Sequence, residues 1–153
     1  MATTAAEQPD ALFVDTNVLV YANVAEAPLH ETALSALQQA HEAGRTLWIS
    51  RQVLREFAAV RSRPQTFAAA ASPEIIAARL AAFEARFEVA DDTAAVTRHL
   101  RQLITEVTLG GKQVHDANIV ATMLVYDIPA LLTHNGRDFE RFEDRITVEV
   151  INT

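Results

Sequence analysis

Three carboxylates stand out by their surroundings. Asp15 comes straight after the apolar run Leu12-Phe13-Val14 and is followed by Thr16-Asn17. Glu56 lies at the edge of an apolar stripe, since Val53, Phe57 and Val60 recur at helical spacing around it. Asp116 opens a similar pattern, on the same side as Ile119, Val120 and Met123. Each has an ordinary structural reading taken alone: an Asx turn or helix N-cap for Asp15, neutralisation by Arg63 for Glu56, an N-cap for Asp116. Taken together, three inward-pointing acids repel unless a hard cation sits among them, and Mg2+ or Mn2+ is the natural occupant. A fourth polar group, Thr133-His134-Asn135-Gly136-Arg137-Asp138, puts a hydroxyl, an amide and a carboxylate into one turn after another apolar run. Its plain alternative is a glycine turn in which Asp138 caps a short helix and His134 is a turn or surface histidine. Asp92, in Asp91-Asp92-Thr93, reads only as a helix cap.

Other chemistries are excluded by what the chain lacks. It has no cysteine, which removes thiol nucleophiles, cysteine-ligated metals and disulfides, and fits a reducing compartment. Only four glycines occur, Gly44, Gly110, Gly111 and Gly136, so a dinucleotide fingerprint has nowhere to sit. Gly111-Lys112 resembles the end of a phosphate loop, but Glu106 replaces the earlier glycine and Gln113 the metal-binding hydroxyl. His30-Glu31 and His41-Glu42 both lack the second histidine of a zinc protease motif.

The elements that must position these groups alternate between short apolar runs and longer helical patterns, the signature of βαβ units around a parallel sheet. Strands are expected at Ala11–Val14, Thr46–Ser50, Phe87–Ala90, Ala130–Thr133 and Thr147–Ile151. Helices are expected from Pro28, as the first helical residue, to a stop at Gly44, from Arg51 to about Ser62, from Ser72-Pro73-Glu74 onward, and from His115-Asp116 onward. In such a sheet ligands bind beyond the carboxyl ends of the strands, which is where Asp15 and the Thr133 turn fall. The 153 residues, 50% hydrophobic and 22% charged, suit a single domain over 11–153, with residues 1–10 as a disordered tail. Nothing reads as a signal peptide or membrane span, so a soluble, cytoplasmic protein is expected. The net charge of −7 argues against a uniformly basic nucleic-acid surface, yet Arg51, Arg55, Arg61 and Arg63 crowd a segment whose one acid is Glu56.

Asp15-Thr-Asn-Val-Leu, Glu56 after Ile49-Ser-Arg-Gln-Val-Leu-Arg, His115-Asp116-Ala117, and Thr133-His-Asn-Gly-Arg-Asp138-Phe139 together resemble the PIN-domain ribonucleases, specifically the VapC-type toxins of bacterial toxin–antitoxin systems. The resemblance runs from about Leu12 to Ile151. It implies a three-layer α/β/α fold with a five-stranded parallel sheet of order 3-2-1-4-5 and helices on both faces. It also implies a Mg2+- or Mn2+-dependent site that cleaves RNA and so inhibits translation and growth. By motif, Asp15, Glu56 and Asp116 match the family's three core acids. Many relatives carry a further acid where this chain has Asn135, which leaves Asp138 as the nearest carboxylate. Asn17 and Thr133 would position water or phosphate, and the four arginines would contact the RNA backbone. The implied partners are an RNA substrate, a small cognate antitoxin and a second copy of the chain as a homodimer, with operator DNA reached only through the antitoxin.

Two rivals are weaker. A haloacid-dehalogenase-like phosphotransferase would need a second aspartate where Asn17 stands, and Lys112 is the only lysine available. A PIN-like binding module without catalysis would not need Asp15, Glu56 and Asp116 all present.

Overall fold

The computed structural model describes residues 10–152. Five strands, β1 (Leu12–Val14), β2 (Leu47–Ser50), β3 (Glu88–Ala90), β4 (Ala130–Thr133) and β5 (Thr147–Val150), form one sheet of order β3-β2-β1-β4-β5 with every pairing parallel. All five lie within a residue of their expected bounds. The two central strands β1 and β4 are buried along their whole length, as expected for strands covered on both faces, while β3 and β5 form the partly exposed edges. No helix among the described residues is long and apolar enough to cross a membrane.

Six α-helices cover the sheet: α1 (Thr16–Asn23), α2 (His30–Glu42), α3 (Arg51–Arg61), α4 (Pro73–Arg86), α5 (Ala94–Glu106) and α6 (Gln113–Val125). A 3-10 helix, Gly136–Phe142, joins β4 to β5. The chain first steps outward in one direction, β1 to β2 to β3, then returns across the sheet to β4 and β5. Right-handed crossovers running in opposite directions place their helices on opposite faces. The packing agrees: α1 contacts α2 and α3, and α3 contacts α4, whereas α5 packs on α6 and α6 on the 3-10 helix. The strand order therefore reverses between β1 and β4, and a crevice opens beyond their carboxyl ends.

Local chemistry accounts for most helix ends. Ser50, Ser72 and Thr93 each accept a hydrogen bond from the backbone N–H three residues on, at 3.3, 3.2 and 3.4 Å. Pro73 occupies the first turn of α4, where its missing N–H costs nothing. Gly44, with φ of +77°, ends the turn after α2 in a conformation that penalises a side chain. Three expected starts need correction. Pro28 lies in the turn before α2, which begins at His30. Thr93, not Asp92, caps α5. Helix α6 begins at Gln113, so Asp116 sits inside its first turn and does not cap it. Of the tail expected over residues 1–10, residues 1–9 lie outside the described residues, and the Asp10 carbonyl accepts a 3.0 Å hydrogen bond from Arg45.

Candidate active site

Asp15 ends β1 and begins α1, and its carboxylate is both cap and site group. One oxygen accepts from the Thr16 backbone N–H at 2.8 Å; the other accepts from the Thr133 hydroxyl at 2.8 Å and the Asn17 side-chain amide at 3.2 Å. Thr133, at the end of the neighbouring strand β4, is fully buried and also accepts from the Asn135 backbone N–H at 3.0 Å. Asn17 in turn accepts from the His134 backbone N–H at 3.0 Å, so the two strand-end turns are laced together around Asp15. Burial pushes the Asp15 pKa up to about 6 against the pull of its Thr133 and Thr16 hydrogen bonds, with Glu56 adding repulsion.

Glu56 is held by neutral donors and not by Arg63. The Thr16 hydroxyl donates to its Oε1 at 2.8 Å and the Gln52 amide to its Oε2 at 3.3 Å. Arg63 instead turns back to the Ala59 carbonyl. Gln52, almost fully buried, also donates to the His115 carbonyl at 2.9 Å and accepts from the Asn118 amide at 2.8 Å. This one amide thereby locks α3 to the start of α6 and fixes Glu56 relative to Asp116.

Asp116 is the least supported of the acids. No donor reaches its half-buried carboxylate among the described residues. Its pKa is pushed up to about 7, first by burial and then by the charges of Asp15, Asp138 and Glu56, with Arg141 opposing. Asp138 is exposed in the first turn of the 3-10 helix, and its charge is felt at Asp116. Asn135 holds the position before that helix without a side-chain capping bond. Gly136 comes so close to β5 that a Cβ there would meet Val150 Cγ2 at 2.7 Å, so a side chain at 136 would push against Val150 in the turn carrying Asn135 and Asp138.

Asp15, Asn17, Glu56, Asp116, Asn135 and Asp138 all line one open cleft of about 530 Å³. Among the described residues no three histidine or acidic side chains converge closely enough to hold an ion by themselves. The basic segment is dispersed. Arg51 bridges Glu84 at 2.8 Å and Asp91 at 3.1 Å, and Arg55 lies 3.7 Å from Asp92, which commits both to the β3 side of the molecule. Arg61 faces α4. Of the four arginines only Arg63 lines the cleft, joined by Lys112. The cleft also takes in Tyr21 and Phe67, and Thr16 and Gln52 support its acids, none of which the sequence marks as site residues; Lys112, excluded as a phosphate-loop lysine, lines the cleft as well. Gln52 was detectable as a polar residue one helical turn before Glu56; Phe67, in an irregular loop, carried no such signal.

A three-layer sheet whose reversal point carries a carboxylate cleft defines an α/β protein with a charged site at its topological switch. Residues 12–144 match the sequence model of the PIN domain, and the chain belongs to that family. Among curated proteins none matches this sequence. Solved structures with the same fold include VapBC2 from Rickettsia felis bound to a promoter DNA fragment, at 23% identity over 93% of this chain and 99% of that one, with a TM-score of 0.69. Others are VapC20 of Mycobacterium tuberculosis, described as a sarcin–ricin-loop-cleaving toxin, at 19% over 93% and 100% with a TM-score of 0.65, and VapBC-1 from nontypeable Haemophilus influenzae, at 17% over 92% and 97% with a TM-score of 0.64.

Proposed function

We propose that this protein is an endoribonuclease that hydrolyses RNA phosphodiester bonds with the help of Mg2+ or Mn2+, and that it is the toxin of a toxin–antitoxin pair. The observation that carries the reading is Asp116, a half-buried carboxylate without a donor, raised to about 7 by burial and by three other acids lining the same cleft. A structural ion pair would have supplied a cation there. An all-oxygen donor set suits a hard divalent ion. Asp15 and Asp116 would hold it, water would complete its shell, and Glu56 and Asp138 would add negative charge around it. When bound, such an ion offsets the charge of the scissile phosphate and acidifies water.

The remaining work belongs to side chains of this chain. Thr133, Asn17 and the Thr16 N–H fix the Asp15 carboxylate, and Gln52 fixes Glu56 against α6. Glu56, anchored at both oxygens, offers its free lone pairs as acceptor for the proton of an attacking water. Arg63 and Lys112, both exposed on the cleft, supply phosphate contacts, so RNA affinity falls with salt.

The toxin–antitoxin neighbours support an antitoxin as partner, acting as the link to operator DNA; a homodimer of this chain is part of the same proposal. A carboxylate cleft attracts a guanidinium, so the antitoxin is expected to present an arginine or lysine to Asp15, Glu56 and Asp116. The test is RNA cleavage by the purified protein with Mg2+ or Mn2+ against a chelator control. Cleavage is expected to require metal and to be lost in Asp116→Asn. Undiminished cleavage by that variant would overturn the assignment.

A further inference from the structure

Two aromatic side chains also line the cleft, and the hydrolytic reading does not use them. Tyr21 lies one helical turn after Asn17 on α1, on the same face, and lines the cleft with Phe67. The two rings meet edge to face with centroids 6.2 Å apart, and Tyr21 also meets the His134 ring edge to face at 5.6 Å. Both Tyr21 and Phe67 are only partly buried. Phe67 is carried by the segment between α3 and α4, which has no regular structure yet is firmly tied. Gln65 and Ala68 exchange backbone hydrogen bonds at 2.8 and 3.4 Å, the Gln65 amide donates to the Val60 carbonyl at 2.9 Å, and the Ala71 N–H donates to the Arg61 carbonyl at 2.8 Å. These bonds hold an apolar ring in a solvent-open cleft that also contains Asp116, Arg63 and Lys112. A site for an inorganic ion or a bare phosphate has no use for such rings. A nucleotide does: its phosphate goes to the charged side and its base to the rings.

We propose that Tyr21 and Phe67 form a stacking platform for a nucleobase adjoining the scissile phosphate. The inference rests on the ribonuclease reading of the same cleft. Every base has a π-face, so the platform adds affinity with little sequence preference. Its pinned loop keeps the ring in place before RNA arrives, which reduces the ordering cost of binding.

Binding can be measured apart from cleavage by placing every variant in the Asp116→Asn background and titrating a short fluorescein-labelled single-stranded RNA by anisotropy, alongside an oligomer of the same length made of abasic ribose phosphate. Phe67→Leu keeps apolar volume and removes the ring. It is expected to weaken the base-bearing RNA about tenfold or more while leaving the abasic oligomer unchanged, with Tyr21→Leu acting in the same direction and Phe67→Tyr restoring affinity. Phe67→Trp gives an independent reading, since the fluorescence of the introduced indole is expected to be quenched by unlabelled RNA and not by the abasic oligomer. Equal affinity of the parent and Phe67→Leu for the base-bearing RNA, or equal loss on both oligomers, overturns the platform, as does unquenched indole fluorescence in Phe67→Trp with RNA bound. If the native sequence cleaves RNA with metal but Phe67 makes no base-dependent difference, the platform fails and the hydrolytic reading stands. If base-dependent binding holds but no metal ion supports cleavage, the hydrolytic reading fails and the platform stands.

Discussion

Asp116→Asn separates the electrostatics of the cleft from its chemistry. The carboxylate is displaced from an ordinary value of 3.8 to about 7. At about 1.36 kcal/mol per pKa unit, a rise from 3.8 to about 7 would correspond to about 4 kcal/mol if the group were fully buried. The side chain is only partly buried, water screens much of that, and about 1–2 kcal/mol is the expected penalty on the metal-free fold. For a chain of this size that is about 2–8 °C in Tm. The sign follows from the raised value. The folded protein holds a proton on Asp116 that the unfolded chain releases, so stability falls as pH rises from about 4 to about 7 and then stays low. Asparagine cannot ionise, so in chelator its advantage is expected to be full above about pH 7 and to disappear toward pH 4, read by thermal unfolding across that range. Metal reverses the order. At about 100 times its Kd, Mg2+ adds about 2.7 kcal/mol to the protein that binds it and much less to the variant. A Tm difference that is independent of pH, or an equal Mg2+ response in both proteins, would refute the idea that Asp116 is a strained carboxylate awaiting a cation.

Thr133→Val keeps the shape of the side chain but takes a donor from buried Asp15 and an acceptor from the Asn135 N–H, so it is expected to cost about 1–3 kcal/mol in urea unfolding and to raise the metal concentration needed for cleavage. Unchanged stability and metal dependence would show that Thr16 and Asn17 suffice to hold Asp15. Asp138→Ala should raise the metal requirement far more than Asn135→Ala, because the Asp138 charge reaches Asp116; identical metal titrations of the two variants would remove Asp138 from the site. Gly136→Ala drives a methyl into Val150 and is expected to lower both stability and cleavage, with Val150→Ala in the same chain restoring them. Absence of rescue would mean that the turn moves for another reason.

How much of this was legible in the residues depends on the range of the interaction. The strands followed from short apolar runs closed by polar residues, and the buried central pair β1 and β4 gave the plainest signal because both of their faces are covered. Asp15 stood out because a polar residue directly after an apolar run marks the carboxyl end of a parallel strand, where a ligand can reach. Glu56 and Asp116 were marked by helical period against apolar neighbours, a purely local pattern. Of the helix starts that differed, α5 turns on which adjacent residue bonds a free N–H, Thr93 and not Asp92, a choice worth about 1 kcal/mol, whereas α2 and α6 begin at His30 and Gln113 with no side-chain cap bond for a sequence motif to announce. The fate of the arginines was beyond local reading. Arg51 and Arg63 are equivalent in sequence terms, but Glu84 and Asp91, brought close only when β3 pairs with β2, capture the first and leave the second on the cleft. Gln52 likewise reads as one polar residue among several until the fold sets Asn118 and the His115 carbonyl against it. Residue types and periods thus determined the sheet, its layers and the acids at its switch point. Which donors hold those acids, which cations stay free for RNA, and that Phe67 faces the cleft were decided by contacts between segments distant in the chain, whose energies exist only once the sheet has brought them together.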